Sequence, residues 1–334
     1  MNRMVLGGAV LAPMNGGSRM LATDAIPFPT PSVIRFRESG ATSTSTGLAF
    51  HDQAWPQPTV AGALVSSGVT KEEADRLTQN PVLLACHLND GDTAKSLLAS
   101  LDGSAAALRP GDLQLTVPVD TESRIFAVGL NYRRHAEEFG SKEQRSVPIV
   151  FMKTWDSVSG PYDPIVLPRQ DSAIDFEGEL AVVVGHDVPL YGRGGEQCIA
   201  GYTVANDVTA RTIQASSSQW TLAKSFPTFC PLGPGIVPSG LMPAPLDLKV
   251  VTRLNGEIMQ EATTGQMIRS AVELVDYVAQ HVPLRMGDLL LTGTPEGVGH
   301  FRNPPIHLQS GDTVDISIEG IGRISNAVRQ SHEP

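Results

Sequence analysis

The chain has 334 residues, 41% of them hydrophobic, and carries 35 acidic against 25 basic side chains for a formal charge of -10. That length buries at least one full core, and the negative field repels phosphate, which argues against nucleic acid or an anionic membrane as a partner. No apolar run approaches the roughly 20 residues that cross a bilayer, so the expectation is a soluble, cytoplasmic protein that takes a small ligand.

Three cysteines, Cys86, Cys198 and Cys230, stand far apart with no CxxC pair, which fits a reducing compartment. Residues 1–31 read as a Gly- and Met-containing tail, although Met4 to Pro13 has the outline of a weak signal peptide. A small N-terminal α/β domain is expected over residues 32–118. Val33 to Arg37 and Gly47 to Phe50 read as a β-hairpin around a turn-rich loop. Lys71 to Thr78 reads as a helix capped by Thr70, and Asp92 to Leu101 as a second with Asp92 as its cap. Gly103 to Gly111 has the composition of a linker.

Residues 119–330 are expected to form the larger domain. Short, often β-branched runs predict strands at Ile125 to Val128, Ile149 to Met152, Leu180 to Val184, Tyr202 to Ala205, Leu248 to Leu254, Leu289 to Thr292 and Val314 to Ile318. Helical spacing is confined chiefly to Tyr132 to Phe139 and Ser270 to Gln280. The fold class is therefore α+β and β-rich.

The segment Ile174-Asp-Phe-Glu-Gly-Glu-Leu180 carries the chemistry. Side chains alternate along a strand, so Asp175, Glu177 and Glu179 share a face. Three adjacent carboxylates repel one another, and a divalent cation neutralises them effectively. Asp207 ends the apolar run Gly201 to Ala205 where the chain must turn, and is the expected third ligand beside Glu177 and Glu179. An all-oxygen set selects a hard ion, with Mg2+ first and Mn2+ or Ca2+ as substitutes. From spacing alone, a solvated acidic strand with Asp207 capping the next turn accounts for the same pattern.

Motifs along the chain resemble the fumarylacetoacetate hydrolase superfamily. They are Val128-Gly-Leu-Asn-Tyr-Arg-Arg-His-Ala-Glu-Glu138, Gly160-Pro-Tyr-Asp-Pro-Ile165, Asp175-Phe-Glu-Gly-Glu179, Ala205-Asn-Asp-Val-Thr-Ala-Arg211, Trp220-Thr-Leu-Ala-Lys-Ser-Phe226, Leu291-Thr-Gly-Thr-Pro-Glu-Gly-Val-Gly299 and Ser310-Gly-Asp312. They run in family order from about Arg124 to Val328. The resemblance implies a mixed β-roll or β-sandwich catalytic domain, a homodimer, and Mg2+ or a similar ion on Glu177, Glu179 and Asp207. It also implies that His135 and Glu138, three apart on one helix, act as an acid-base dyad on a lid.

Lys224, in an apolar or hydroxylic stretch, is expected to meet an anion: the substrate or a metal-binding carboxylate. Arg211 and Gln214 are placed to contact substrate oxygens or the attacking water, with a structural ion pair equally open for Arg211. Thr294, Gly293 and Tyr132 are the remaining substrate-binding candidates, Thr294 through its hydroxyl and amide. Asp175 reads as a support for the ligands, and Lys153 as structural or functional alike. Two departures from the family pattern, Trp155 and Pro227, affect substrate choice, Trp155 as a residue that narrows or lines the pocket. His51, His186, His281, His300 and His307 lack ligand spacing, and Cys230 reads as packed.

The leading expectation is a metal-dependent hydrolase that cleaves a C–C bond in a small 1,3-diketo acid of the acylpyruvate or fumarylpyruvate type. The first alternative is a decarboxylase or a tautomerase or isomerase of oxaloacetate-like 2-oxo acids. The second is a non-catalytic dicarboxylate-binding protein.

Overall fold

The computed structural model describes residues 28–331 except 39, 103, 105, 121–122, 141–146, 170 and 172. The expected signal-like stretch, most of the expected tail and part of the linker lie outside those residues, as do residues 141–146 of the charged stretch 140–146 that follows the lid dyad. The first strand begins at Phe28, inside the segment expected to be tail.

An 11-stranded sheet organises the molecule. Its main path runs Gln53–Pro56, Ser45–His51, Phe28–Arg37, Cys230–Pro238, Ile199–Asn206, Gly178–Val184, Leu289–Leu291, Ile125–Gly129, Ile149–Lys153. Along this path the pairing is antiparallel except between Leu289–Leu291 and Ile125–Gly129. All seven expected strands of the larger segment are present. Gly178–Val184, Ile199–Asn206 and Leu289–Leu291 are buried along their whole length because both faces of the large sheet are covered there, whereas Thr313–Ile318 in the second sheet and Ile149–Lys153 at the edge of the large one alternate in exposure. Leu180, Val182 and Val184 enter one core with the helix Ala271–Ala279 and a second, five-stranded sheet. Ala181 and Val183 enter the other core with the N-terminal helices.

Those helices span Gln57–Ser66, Lys71–Gln79, Pro81–His87 and Gly91–Leu101. Thr70 accepts from the Glu73 amide, as a cap should. The cap of the last helix is Asp90 rather than the expected Asp92: the Asp90 carboxylate accepts from the Thr93 amide and hydroxyl. A two-residue offset of this kind is invisible when two acidic residues, Asp90 and Asp92, precede an apolar face. Sheet and core cross the boundary expected near residue 118. Val33 pairs with Ile236, and Leu64, Leu84 and Leu97 pack in the same cluster as Ile125 and Leu289.

The second sheet is ordered Glu257–Thr263, Lys249–Leu254, Thr313–Ile318, Gly322–Gln330, Ile165–Leu167. It packs over the strand Gly178–Val184 through Val250, Leu254 and Ile316, giving the β-rich α+β architecture anticipated. The helix Ala271–Ala279 opens with a reciprocal capping box between Ser270 and Glu273.

Candidate metal centre and acid-base site

Strand pairing brings the three carboxylates together. In the antiparallel register Gly178 lies opposite Asn206 and Glu179 opposite Ala205, so Asp207 emerges beside Glu177 and its amide donates to the Glu177 carbonyl at 2.9 Å. Glu177, Glu179 and Asp207 each offer one oxygen within 4.8 Å of the others, and all three are buried. The Asn206 side chain fixes this corner from behind by accepting the Glu177 amide at 3.0 Å.

Three buried cations press against the cluster. Lys224 Nζ reaches Glu177 Oε2 at 2.7 Å and Asp207 Oδ2 at 2.6 Å. Lys153 Nζ reaches Asp207 Oδ1 at 2.7 Å and also donates to the Lys224 carbonyl. Arg211 binds Glu177 Oε1 and Asp175 Oδ2, each at 2.7 Å. These contacts place Lys224 on the metal-binding carboxylates, one of the two partners expected. They also give Arg211 its structural ion pair with Asp175.

The electrostatics divide the carboxylates. Burial works to raise the Glu177 pKa, but Lys224 and Arg211 outweigh it and hold this carboxyl at about 2. Glu179 goes the other way: burial first, then the charges of Asp207 and Glu177, raise it well above 4.5. Burial opposes the Lys224 charge, yet Asp207 and Glu177 keep its pKa above the ordinary lysine value. The cations bind Glu177, Asp207 and Asp175, whereas Glu179 accepts from the Gly293 amide at 2.7 Å. A buried, all-carboxylate set with one member penalised as an anion fits a hard divalent ion, which would offset that penalty.

A narrow pocket adjoins this cluster. It is lined by Glu177, Glu179, Asp207, Arg211, Gln214, Lys224, Thr294 and His135, with Val128, Leu130, Phe139, Phe151 and Trp220 as apolar wall. His135 is buried on the short helix Arg133–Glu138, and its Nδ1 lies 3.2 Å from Glu138 Oε2. Glu138 Oε1 accepts from the Gly297 amide at 2.9 Å, so the pair is docked on the loop that follows strand Leu289–Leu291. Tyr132 is buried at the start of the helix, its hydroxyl pKa raised by burial and by the charges of Glu179 and Glu296.

Several candidates also make hydrogen bonds within the protein, and Gln214 and Thr294 line the pocket as well. The Gly293 amide serves Glu179. The Thr294 hydroxyl donates its proton to the Gly178 carbonyl at 3.0 Å, and so has none left for a substrate carboxylate. The Gln214 carbonyl oxygen accepts from Arg211 Nη1 at 3.0 Å. Trp155, expected to line the pocket, packs instead beneath the large sheet, and the cavity tryptophan is Trp220. Cys230 is packed as expected, and burial pushes its thiol up to about 12.

Sequence reading passed over Asn206, Gln260, Trp220 and Phe301. Phe301 stacks toward His135, with ring centroids 6.2 Å apart, and lies under the Arg211 guanidinium. Asn206 adjoins Asp207 in a motif already singled out, a signal that was available. Gln260 has no local signal, since its partners are more than 30 residues away.

Residues 124–329 match the family described as fumarylacetoacetate (FAA) hydrolase C-terminal. The mitochondrial oxaloacetate tautomerase Fahd2a of Rattus norvegicus is 39% identical over 277 residues, covering 79% of this chain and 86% of the relative. A crystal structure named 2-hydroxyhepta-2,4-diene-1,7-dioate isomerase, from Mycobacterium marinum, is 37% identical with a TM-score of 0.59, covering 69% of this chain and 83% of that one. A fumarylacetoacetate hydrolase structure from Exiguobacterium antarcticum is 30% identical with a TM-score of 0.70, covering 90% of this chain and all (100%) of that one.

Proposed function

The chain belongs to the fumarylacetoacetate hydrolase family, and from that premise we propose that it is a tautomerase or isomerase of a small, oxaloacetate-like 2-oxo acid. The observation that carries the reading is His135, the one histidine among the cavity-lining residues, held by Glu138 and sharing its cavity with the carboxylate cluster.

A carboxylate at Nδ1 favours the tautomer with its proton there, which leaves Nε2 a lone pair with which to act as a base. Keto-enol interconversion moves one proton between the carbon beside the ketone and the ketone oxygen. His135 can take that proton from carbon and return it to oxygen, with Glu138 stabilising the imidazolium between the two transfers. A divalent ion on Glu177, Glu179 and Asp207 would stabilise negative charge on the 2-oxo oxygen and reverse the sign of a cluster in which four carboxylates face three cations.

Hydrolysis needs a water and an acceptor to orient it. The Gln214 carbonyl oxygen, expected to handle that water together with His135 and Glu138, gives one of its two acceptor positions to Arg211. The names of the tautomerase and isomerase relatives support the same preference over C–C cleavage. The hydrolase reading keeps one observation in its favour, the neighbour of that name that covers 90% of this chain.

The test follows the enol absorbance of oxaloacetate with Mg2+, against acetylpyruvate in a parallel assay for pyruvate and acetate. Faster enol-keto exchange, lost on chelation and in His135→Ala, is expected. Efficient release of acetate with no effect on exchange overturns the proposal in favour of hydrolysis.

A further inference from the structure

Gly178 separates the two glutamates of the cluster, and both of its backbone polar groups are held by side chains from other parts of the fold. Its amide donates to Gln260 Oε1 at 3.0 Å. Its carbonyl accepts from Thr294 Oγ1 at 3.0 Å. Gln260 Nε2 then donates to Thr294 Oγ1 at 2.7 Å and to the Pro295 carbonyl at 2.8 Å. The hydrogen bonds form a closed circuit through Gly178, Gln260 and Thr294. The amide orientation is dictated by its partners, because only an oxygen can accept the Gly178 proton and only an NH2 can satisfy Pro295.

The circuit stands where the strand ladder has stopped. Pairing to Leu289–Leu291 covers Ala181 to Val183, and the backbone contact continues only as far as Thr292 on Leu180. Beyond that point Gly178 would lose its neighbour on this side, and Gln260 and Thr294 replace it. Gln260 comes from the strand Glu257–Thr263 of the second sheet, so the circuit joins both sheets to the loop that carries Gly293. All of its members are buried. A Cβ at position 178 would lie 2.3 Å from Thr252 Oγ1, so only glycine lets the backbone sit this close to the second sheet.

We propose that Gln260 and Thr294 are positioning residues that hold Glu177 and Glu179 in ion-binding geometry before the ion arrives. The inference rests on the metal-centred reading above. Rotation of the peptide around Gly178 would swing both carboxylates at once, since they flank it. The ordering cost is met on folding and leaves more of the interaction for the ion.

Titration calorimetry of the full chain with Mg2+, repeated with Mn2+, tests this. Gln260→Met and Thr294→Val should each weaken binding about 10- to 100-fold, and Thr294→Ser, which restores the hydroxyl, should bind like the wild type. The double variant should lose little more than the worse single one, because either change opens the same circuit. Should Gln260→Met fail to fold, the Thr294→Val and Thr294→Ser pair decides. Unchanged affinity in folded Thr294→Val overturns the inference. Wild-type protein that takes up neither ion sinks the metal reading itself, whereas normal wild-type binding with unaffected variants sinks only this proposal.

Discussion

Asp175 Oδ2 accepts from two nitrogens of Arg211, Nε at 2.9 Å and Nη2 at 2.7 Å, which leaves Nη1 free to bind Glu177 and Gln214. Asp175 is itself anchored by the amides of Phe176, Gly299 and His300. The carboxylate therefore aims the guanidinium, and the guanidinium aims Glu177. Asp175→Asn takes one of two carboxylate partners from a buried cation that keeps Glu177, and should cost on the order of 2 kcal/mol of stability in urea unfolding. Arg211→Lys should not rescue function, because an ammonium cannot span three acceptors in a planar fork. Wild-type stability in Asp175→Asn would show that the pair matters little.

Glu177 and Glu179 should respond oppositely to loss of charge. Glu177→Gln removes the partner of Lys224 and Arg211 and should lower both stability and ion affinity. Glu179→Gln removes a carboxylate opposed by burial, Asp207 and Glu177 while keeping an acceptor for Gly293, so the metal-free protein should gain about 1 kcal/mol even as ion affinity collapses. Equal destabilisation in both variants would contradict the charge asymmetry. Chemical denaturation in EDTA, with calorimetry for the ion, reads both quantities.

The same asymmetry predicts a pH dependence. Glu179 binds its proton more tightly folded than unfolded, so its contribution is full below the ordinary value of 4.5 and is lost as pH rises through the raised one. Glu177, held at about 2, contributes fully above 4.5 and loses that contribution only as pH falls toward 2. Above pH 4.5 the slope from this site therefore belongs to Glu179, and metal-free protein should become less stable as pH climbs. Saturating Mg2+ should flatten the slope, and Mg2+ affinity should rise with pH as the competing proton leaves. Melting temperatures across pH with EDTA or Mg2+ check this; parallel curves would refute it.

His135→Ala should lower turnover about 10^2- to 10^4-fold while Mg2+ affinity stays near that of the wild type, because His135 is outside the carboxylate cluster. Glu138→Gln should fall between, since the amide still accepts from the Gly297 backbone but no longer stabilises an imidazolium. Turnover in His135→Ala equal to the wild type would remove the acid-base assignment.

Gly129→Ala tests the apolar wall. A Cβ there would lie 2.5 Å from the Trp220 ring, which packs edge-on against Phe151 at 5.4 Å and tilted against Phe139 at 5.9 Å. Displacing Trp220 should cost about 1–3 kcal/mol of stability and raise KM more than it lowers kcat, because the cavity changes shape without losing His135. A kcat effect with unchanged KM would place Trp220 elsewhere in the reaction.

Local rules account for what was legible in the chain before any contact was known. Spacing of two sets Glu177 near Glu179, although the strand itself begins only at Gly178, and helical spacing sets His135 near Glu138. The Ser270 and Glu273 box starts its helix, and the β-branched runs mark strands buried on two faces. Tertiary structure alone decided who meets whom. The Thr294 hydroxyl was spent on Gly178, Trp220 rather than Trp155 formed the cavity wall, and Gln260 crossed from the second sheet to bind the Gly178 amide between the two glutamates. Val33 pairing with Ile236 drew the N-terminal segment into the main sheet. The physical reason is range: dihedral preference and side-chain periodicity act over a few residues, whereas a hydrogen bond spanning 82 positions exists only after every intervening element has packed.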